Sequence, residues 1–159
     1  EEAGNEIMER KPRPKNEDVF ANGLFKEIVF QGTVIALITL MAYFVGHFIE
    51  TGKFEIANSA DGMTMAFLTL SMTELFHCFN MRSRTKSIFK IKKQNGYLWL
   101  SLLGSLLATL SVIYLPFLSQ VFGFESISIF EFMIAILMSA LIIPIVEIEK
   151  RIRNRKLHR

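Results

Sequence analysis

Glu74 is the residue of this sequence whose chemistry most needs explaining. It stands in the run Met72-Thr73-Glu74-Leu75-Phe76-His77-Cys78-Phe79-Asn80, eleven residues after Met63 in an apolar window of nineteen. At that depth of a membrane helix a short carboxylate reaches water at neither end. Holding it there ionised costs roughly 2.5 to 3.5 kcal/mol, so such an acid persists when it is paired, protonated or bound to a cation. Ion or proton handling is the expected role, with a hydrogen bond to a neighbouring helix as the structural alternative. Thr73 and Ser71 can add oxygen ligands. A calcium ion, however, takes about 6 to 8 oxygens, so one helix cannot complete a cage and the site must be shared with helices elsewhere.

His77 follows Glu74 by three residues and Cys78 by four, the spacing that puts side chains on one helix face. Glu-x-x-His is half of a di-iron carboxylate motif, but the second pair and the further glutamates that such a centre needs are missing. The sequence also has no Gly-rich phosphate loop, nucleophile elbow, Cys-x-x-Cys pair or second buried acid to partner Glu74. No catalytic or cofactor-binding residue is therefore expected, and the chain alone is not expected to turn over a substrate. Its expected chemistry is binding at mid-membrane, with Glu74 as the metal ligand.

The elements that must carry this acid are legible in the hydropathy. Half of the 159 residues are hydrophobic (51%), and charges avoid four windows, 28–49, 63–81, 97–118 and 127–148. Each is long enough to cross the ~30 Å hydrocarbon core as a helix at ~1.5 Å per residue. This excludes a water-soluble globular domain, and the single cysteine excludes a disulfide scaffold. The 18 Lys and Arg residues alternate between the connecting segments. Five (Arg10, Lys11, Arg13, Lys15, Lys26) precede the first window, and only Lys53 follows it. Six (Arg82, Arg84, Lys86, Lys90, Lys92, Lys93) follow the second, none follows the third, and six (Lys150, Arg151, Arg153, Arg155, Lys156, Arg159) follow the fourth. Cytoplasmic loops retain Lys and Arg, so both termini and the central loop are expected in the cytoplasm.

The predicted fold class is an all-α membrane protein of four transmembrane helices forming two hairpins. Residues 1–23 are expected to be an irregular cytoplasmic segment, 24–159 the four-helix domain, and 149–159 its basic tail. The basic segments read as topological signals that also attract anionic lipid, rather than as a nucleic-acid site. The amino-terminal stretch has no apolar core of a signal peptide, and a start without Met is expected of a piece of a longer protein. Gln31, Gly32 and Gly46 in the first window, and Gly104 with Ser101, Ser105 and Ser111 in the third, are expected where helices approach closely. Tyr97 and Trp99 are expected as interfacial anchors, Pro144 as a bend near the end of the last helix, and Glu131 as an acid reaching the outer interface or a neighbouring span.

These residues carry a resemblance. Ile7-Met8-Glu9-Arg10-Lys11-Pro12-Arg13 before the first window, Met63-Thr64-Met65-Ala66 opening the second, then Glu74, Asn80 and Pro144 resemble the carboxy-terminal portion of P-type calcium ATPases of the sarco/endoplasmic reticulum type. The resemblance covers essentially the whole chain and implies the last four membrane helices of such a pump. It implies that Glu74 gives a side-chain oxygen to one of two calcium sites, whose other ligands lie on helices outside this chain. ATP and Mg2+ would be used only through further domains, and the partners would be the lipid bilayer, the remaining helices of the pump and the transported cation, with no nucleic acid. The short loop between the first two windows fits a compact, bacterial member, so an integral, multi-pass protein of a bacterial plasma membrane is expected. A free-standing four-helix secondary transporter with an essential membrane glutamate is the rival reading. Exporters of that kind carry the acid in the first span, where this sequence has none. A non-transporting four-span assembly protein is a third possibility, in which Glu74 only binds a neighbouring helix.

Overall fold

The computed structural model describes Phe20 and residues 23–91 and 95–157. The segment expected over 1–23 therefore falls, except for Phe20 and Gly23, outside the described residues, as do Lys92 and Lys93. Among the described residues the chain is helical and has no strands. Its helices are α1 (Leu24–Thr51), α2 (Ala60–Asn80), α3 (Gly96–Tyr114), α4 (Pro116–Phe122), α5 (Ile129–Ala140) and α6 (Ile142–Leu157). Three stretches are long and apolar enough to cross a membrane: Leu24–Thr51, Gly96–Tyr114 and Ile129–Arg155. Threonines and charges dilute the apolar character of α2, yet α2 is the helix around which the others pack. Met65, Leu68 and Met72 from α2 form the buried core with Ile113 of α3, Ile127, and Ala135 of α5.

α1 and α2 form a tight hairpin. Gly52 ends α1 in the left-handed conformation that glycine adopts without strain, and its N–H bonds the Phe48 carbonyl at 2.8 Å. Ser59 caps α2, its hydroxyl accepting from the Gly62 N–H at 2.8 Å. The backbones then touch where two glycines meet, for a Cβ on Gly46 would lie 2.9 Å from the Gly62 Cα. Gly46 is thus the close contact expected of it. Gly104 is not: it is exposed with nothing within 4 Å, and Ser101 and Ser105 beside it are exposed as well. These small residues of α3 face away from the bundle, where α3 buries only Thr109 and Ile113.

Two prolines reshape the last two windows. The third was expected to run to Leu118, but α3 stops at Tyr114, Leu115 is extended, and Pro116 starts the separate short helix α4. Proline forces the residue before it out of the helical region and is well placed at a helix start, which accounts for both facts. Pro144, with no N–H, leaves the Ala140 carbonyl without its helical partner. The break appears there, at Leu141, whose N–H makes a shorter-range bond to the Met138 carbonyl at 3.1 Å. Helical bonding resumes with the Ile145 N–H to the Leu141 carbonyl at 3.3 Å. Residues 149–157 continue α6 as helix.

Candidate cation-binding groove

Glu74 is exposed on α2 and lines an open groove of about 650 Å³ between α1 and α2. Gly32, Ala36, Thr39 and Tyr43 form its α1 wall, and Ala66 and Leu70 precede Glu74 on α2. Gly32 has nothing within 4 Å, so the small residue leaves the groove wide rather than closing a contact within the chain. The Thr39 hydroxyl on the α1 wall is buried without a hydrogen-bond partner. Tyr43 is anchored at the far end, its hydroxyl donating to the Ala57 carbonyl.

The oxygens expected to join Glu74 from its own helix diverge from it. Successive helical residues point about 100° apart. Thr73 accordingly turns into the core, fully buried, while Glu74 turns outward, and Ser71 is half-buried. His77 is half-buried with its Nδ1 unpartnered, and Cys78 is exposed. Among the described residues, no three of His, Cys, Asp and Glu come together in a way that could hold a metal ion. Among the described residues Glu74 therefore offers the groove a single carboxylate with no second acid beside it.

At the basic end of the bundle lies a polar network that sequence reasoning missed. Glu27 in the first turn of α1 is buried and is gripped by Arg84 Nη2 at 2.6 Å and Arg153 Nη1 at 3.0 Å. Arg153 also bonds Glu149 Oε1 at 3.0 Å and donates to the Arg84 carbonyl. Gln31, expected at a helix contact, makes one with α6, donating to Glu149 Oε2 at 2.7 Å. Glu147 accepts from the Ile88 N–H at 3.1 Å and from Lys150 Nζ at 3.3 Å, while Asn154 reaches the Thr85 carbonyl at 2.8 Å. Arg84, Lys150 and Arg153 thus bind the central loop to α1 and α6, in addition to any topological role. The local pairs Glu147/Lys150 and Glu149/Arg153 were readable at helical spacing.

The opposite end is acidic. Glu131 is buried in a capping box, its Oε2 accepting from the Ser128 N–H and hydroxyl at 2.7 Å each. It caps its own helix and also meets a neighbouring span, through a side-chain hydrogen bond with Asp61 of α2. Tyr97 and Trp99 are exposed at the start of α3, Trp99 against Phe79 with ring centroids 5.1 Å apart.

Fold and groove together define a helical domain with membrane-spanning helices and a carboxylate exposed in an apolar groove between α1 and α2. Residues 1–152 match the family described as "Cation transporting ATPase, C-terminus". The chain is 38% identical over 152 residues to calcium-transporting ATPase 1 of Bacillus cereus, covering 89% of this chain and 17% of that protein. It is 35% identical over 136 residues to the calcium-transporting ATPase of Bacillus subtilis, covering 86% and 15%. Calcium-transporting ATPase 1 of Saccharomyces cerevisiae is 28% identical over 161 residues, covering 98% and 16%. The chain belongs to the family of cation-transporting ATPase carboxy-terminal domains and spans about one sixth of the length of these curated relatives. That membership favours the pump reading and gives the small exporter no support.

Proposed function

We propose that this chain is the carboxy-terminal membrane domain of an ATP-driven calcium pump, and that Glu74 supplies one ligand to the transported ion. The observation that carries this reading is a mid-helix carboxylate exposed in an apolar groove. Lipid cannot solvate that group, so other helices must cover it and a cation or proton must neutralise it. The relatives' names supply calcium as the ion. Calcium is then cargo held between Glu74 and oxygens on helices beyond this chain. ATP and Mg2+ act in the pump's other domains.

In this reading α1, α2, α3 and the broken α5/α6 are four crossings, with both termini and the basic end in the cytoplasm. Residues 24–159 form the membrane domain, preceded by a cytoplasmic segment over 1–23 and closed by the basic stretch 149–159. The bilayer is a bacterial plasma membrane, and the partners are its lipids and the remaining helices of the pump. The charge alternation along the sequence supports the sidedness.

The test is Glu74→Gln in the full-length pump. Gln keeps the size and one oxygen but removes the charge, so the protein should fold while the calcium concentration for half-maximal ATP hydrolysis rises about tenfold. An unshifted titration in a well-folded variant would end the ligand assignment.

A further inference from the structure

Glu74 lies between two places where the broken last span grips the backbone of α2. Five residues before it, the Ser139 hydroxyl of α5 shares its proton between the Ala135 carbonyl of its own helix at 2.7 Å and the Thr69 carbonyl at 3.1 Å. Six residues after it, Lys150 Nζ donates to the Asn80 carbonyl at 2.7 Å, and the Asn80 side chain donates to the Ile142 carbonyl at 3.3 Å. Asn80 ends α2, so its carbonyl is one of the last four without a partner inside the helix. A cation there also meets the negative end of the helix dipole. Lys150 is only 3% exposed, and its other partners are Glu147 Oε1 at 3.3 Å and the Lys86 carbonyl at 3.4 Å.

We propose that Lys150 is a positioning residue for Glu74: by holding the Asn80 carbonyl it fixes the depth and rotation at which α2 presents the carboxylate to the groove. The proposal rests on the reading of Glu74 as an ion ligand. Six residues of helix span ~9 Å, short enough for α2 to move as a rigid rod, so a slip or roll at Asn80 reaches Glu74 undiminished. A buried ionic cluster contributes little net stability over an apolar replacement of similar size, and its better-attested use is to fix one register. Lys150→Met alone leaves the Glu147 carboxylate unpaired and so lowers the melting temperature as well; the calcium titration of the folded protein is what reads the position of Glu74.

The experiment measures calcium-activated ATP hydrolysis and melting temperature of the full-length pump carrying Lys150→Met, Glu74→Gln, or both. Lys150→Met alone is expected to raise the half-activating calcium concentration about three- to tenfold. In the Glu74→Gln background it should add less than about twofold, because the group it positions is already compromised. Glu147→Gln, which leaves the Lys150 to Asn80 bond in place, should lower the melting temperature without moving the calcium titration. Should Lys150→Met not fold, Lys150→Gln, with a shorter N–H donor, carries the same comparison. A folded Lys150 variant that titrates like the parent overturns the positioning role, as does a shift that persists in full beside Glu74→Gln. If Glu74→Gln shifts the titration and Lys150→Met does not, only the positioning role fails. If Glu74→Gln itself leaves the titration unmoved, the ligand reading fails instead.

Discussion

Two carboxylates on α2 illustrate how position decides chemistry at the scale of a residue. Glu74 was legible because an acid in an apolar run is costly wherever the fold places it. Asp61, in the first turn and outside the apolar window, shows its chemistry only in the structure. Burial, and then the carboxylates of Glu131, Glu50 and Glu125, push its carboxyl from 3.8 up to about 6. The folded protein thus binds this proton more tightly than the unfolded chain. The resulting stability is present at acid pH, falls as pH rises between those two values, and is gone above them. Asp61→Asn is accordingly expected to raise the melting temperature at about pH 7.5 and to change it little at about pH 3.5. Thermal melts of the purified pump at both pH values check this, and an equal shift at both would refute it. The distant partners of Glu27, Gln31 and Lys150 could not be read from the sequence, because Arg84, Glu149 and Asn80 lie 57, 118 and 70 residues away. Nothing local distinguishes a lysine that signals topology from one that is buried against a helix end.

At the scale of an element, hydropathy located the helices but not their ends or their faces. Composition says how long an apolar run is, whereas Pro116 and Pro144 decide where hydrogen bonding stops, the first at the residue before the ring and the second one turn earlier, at Leu141. Small residues are ambiguous in the same way. Gly46 and Gly104 look alike in sequence, yet one meets a partner glycine and the other faces outward, because only α1 has a glycine opposite it in the hairpin. The α1/α2 contact is backbone against backbone, so it cannot yield by moving a side chain. Gly46→Val is expected to force the helices apart and cost about 1 to 3 kcal/mol. Gly104→Val, with nothing within 4 Å of its Cβ in this domain, should change the domain's packing far less. Paired thermal unfolding curves separate the two, and equal melting temperatures for both variants would contradict the contact.

For the molecule as a whole, the two ends of the bundle carry different charge and do different work. The basic end joins α1, the central loop and α6 through Glu27, Arg84, Glu147, Lys150 and Arg153. Those segments must therefore lie on one side of a membrane, whichever side that is, since bonded groups cannot be divided by a bilayer. The excess of Lys and Arg in the same segments supports our proposal that this side is the cytoplasm. Cys78 is the sole cysteine of these 159 residues, so the labelling background carries Cys78→Ser together with replacement of any cysteine elsewhere in the full-length protein. Lys90 in the central loop and Glu55 in the α1/α2 loop are both exposed, which separates sidedness from burial. With a membrane-impermeant maleimide on intact cells, Glu55→Cys is expected to label and Lys90→Cys to stay unlabelled until the membrane is opened. Labelling of Lys90→Cys from outside intact cells would invert the molecule.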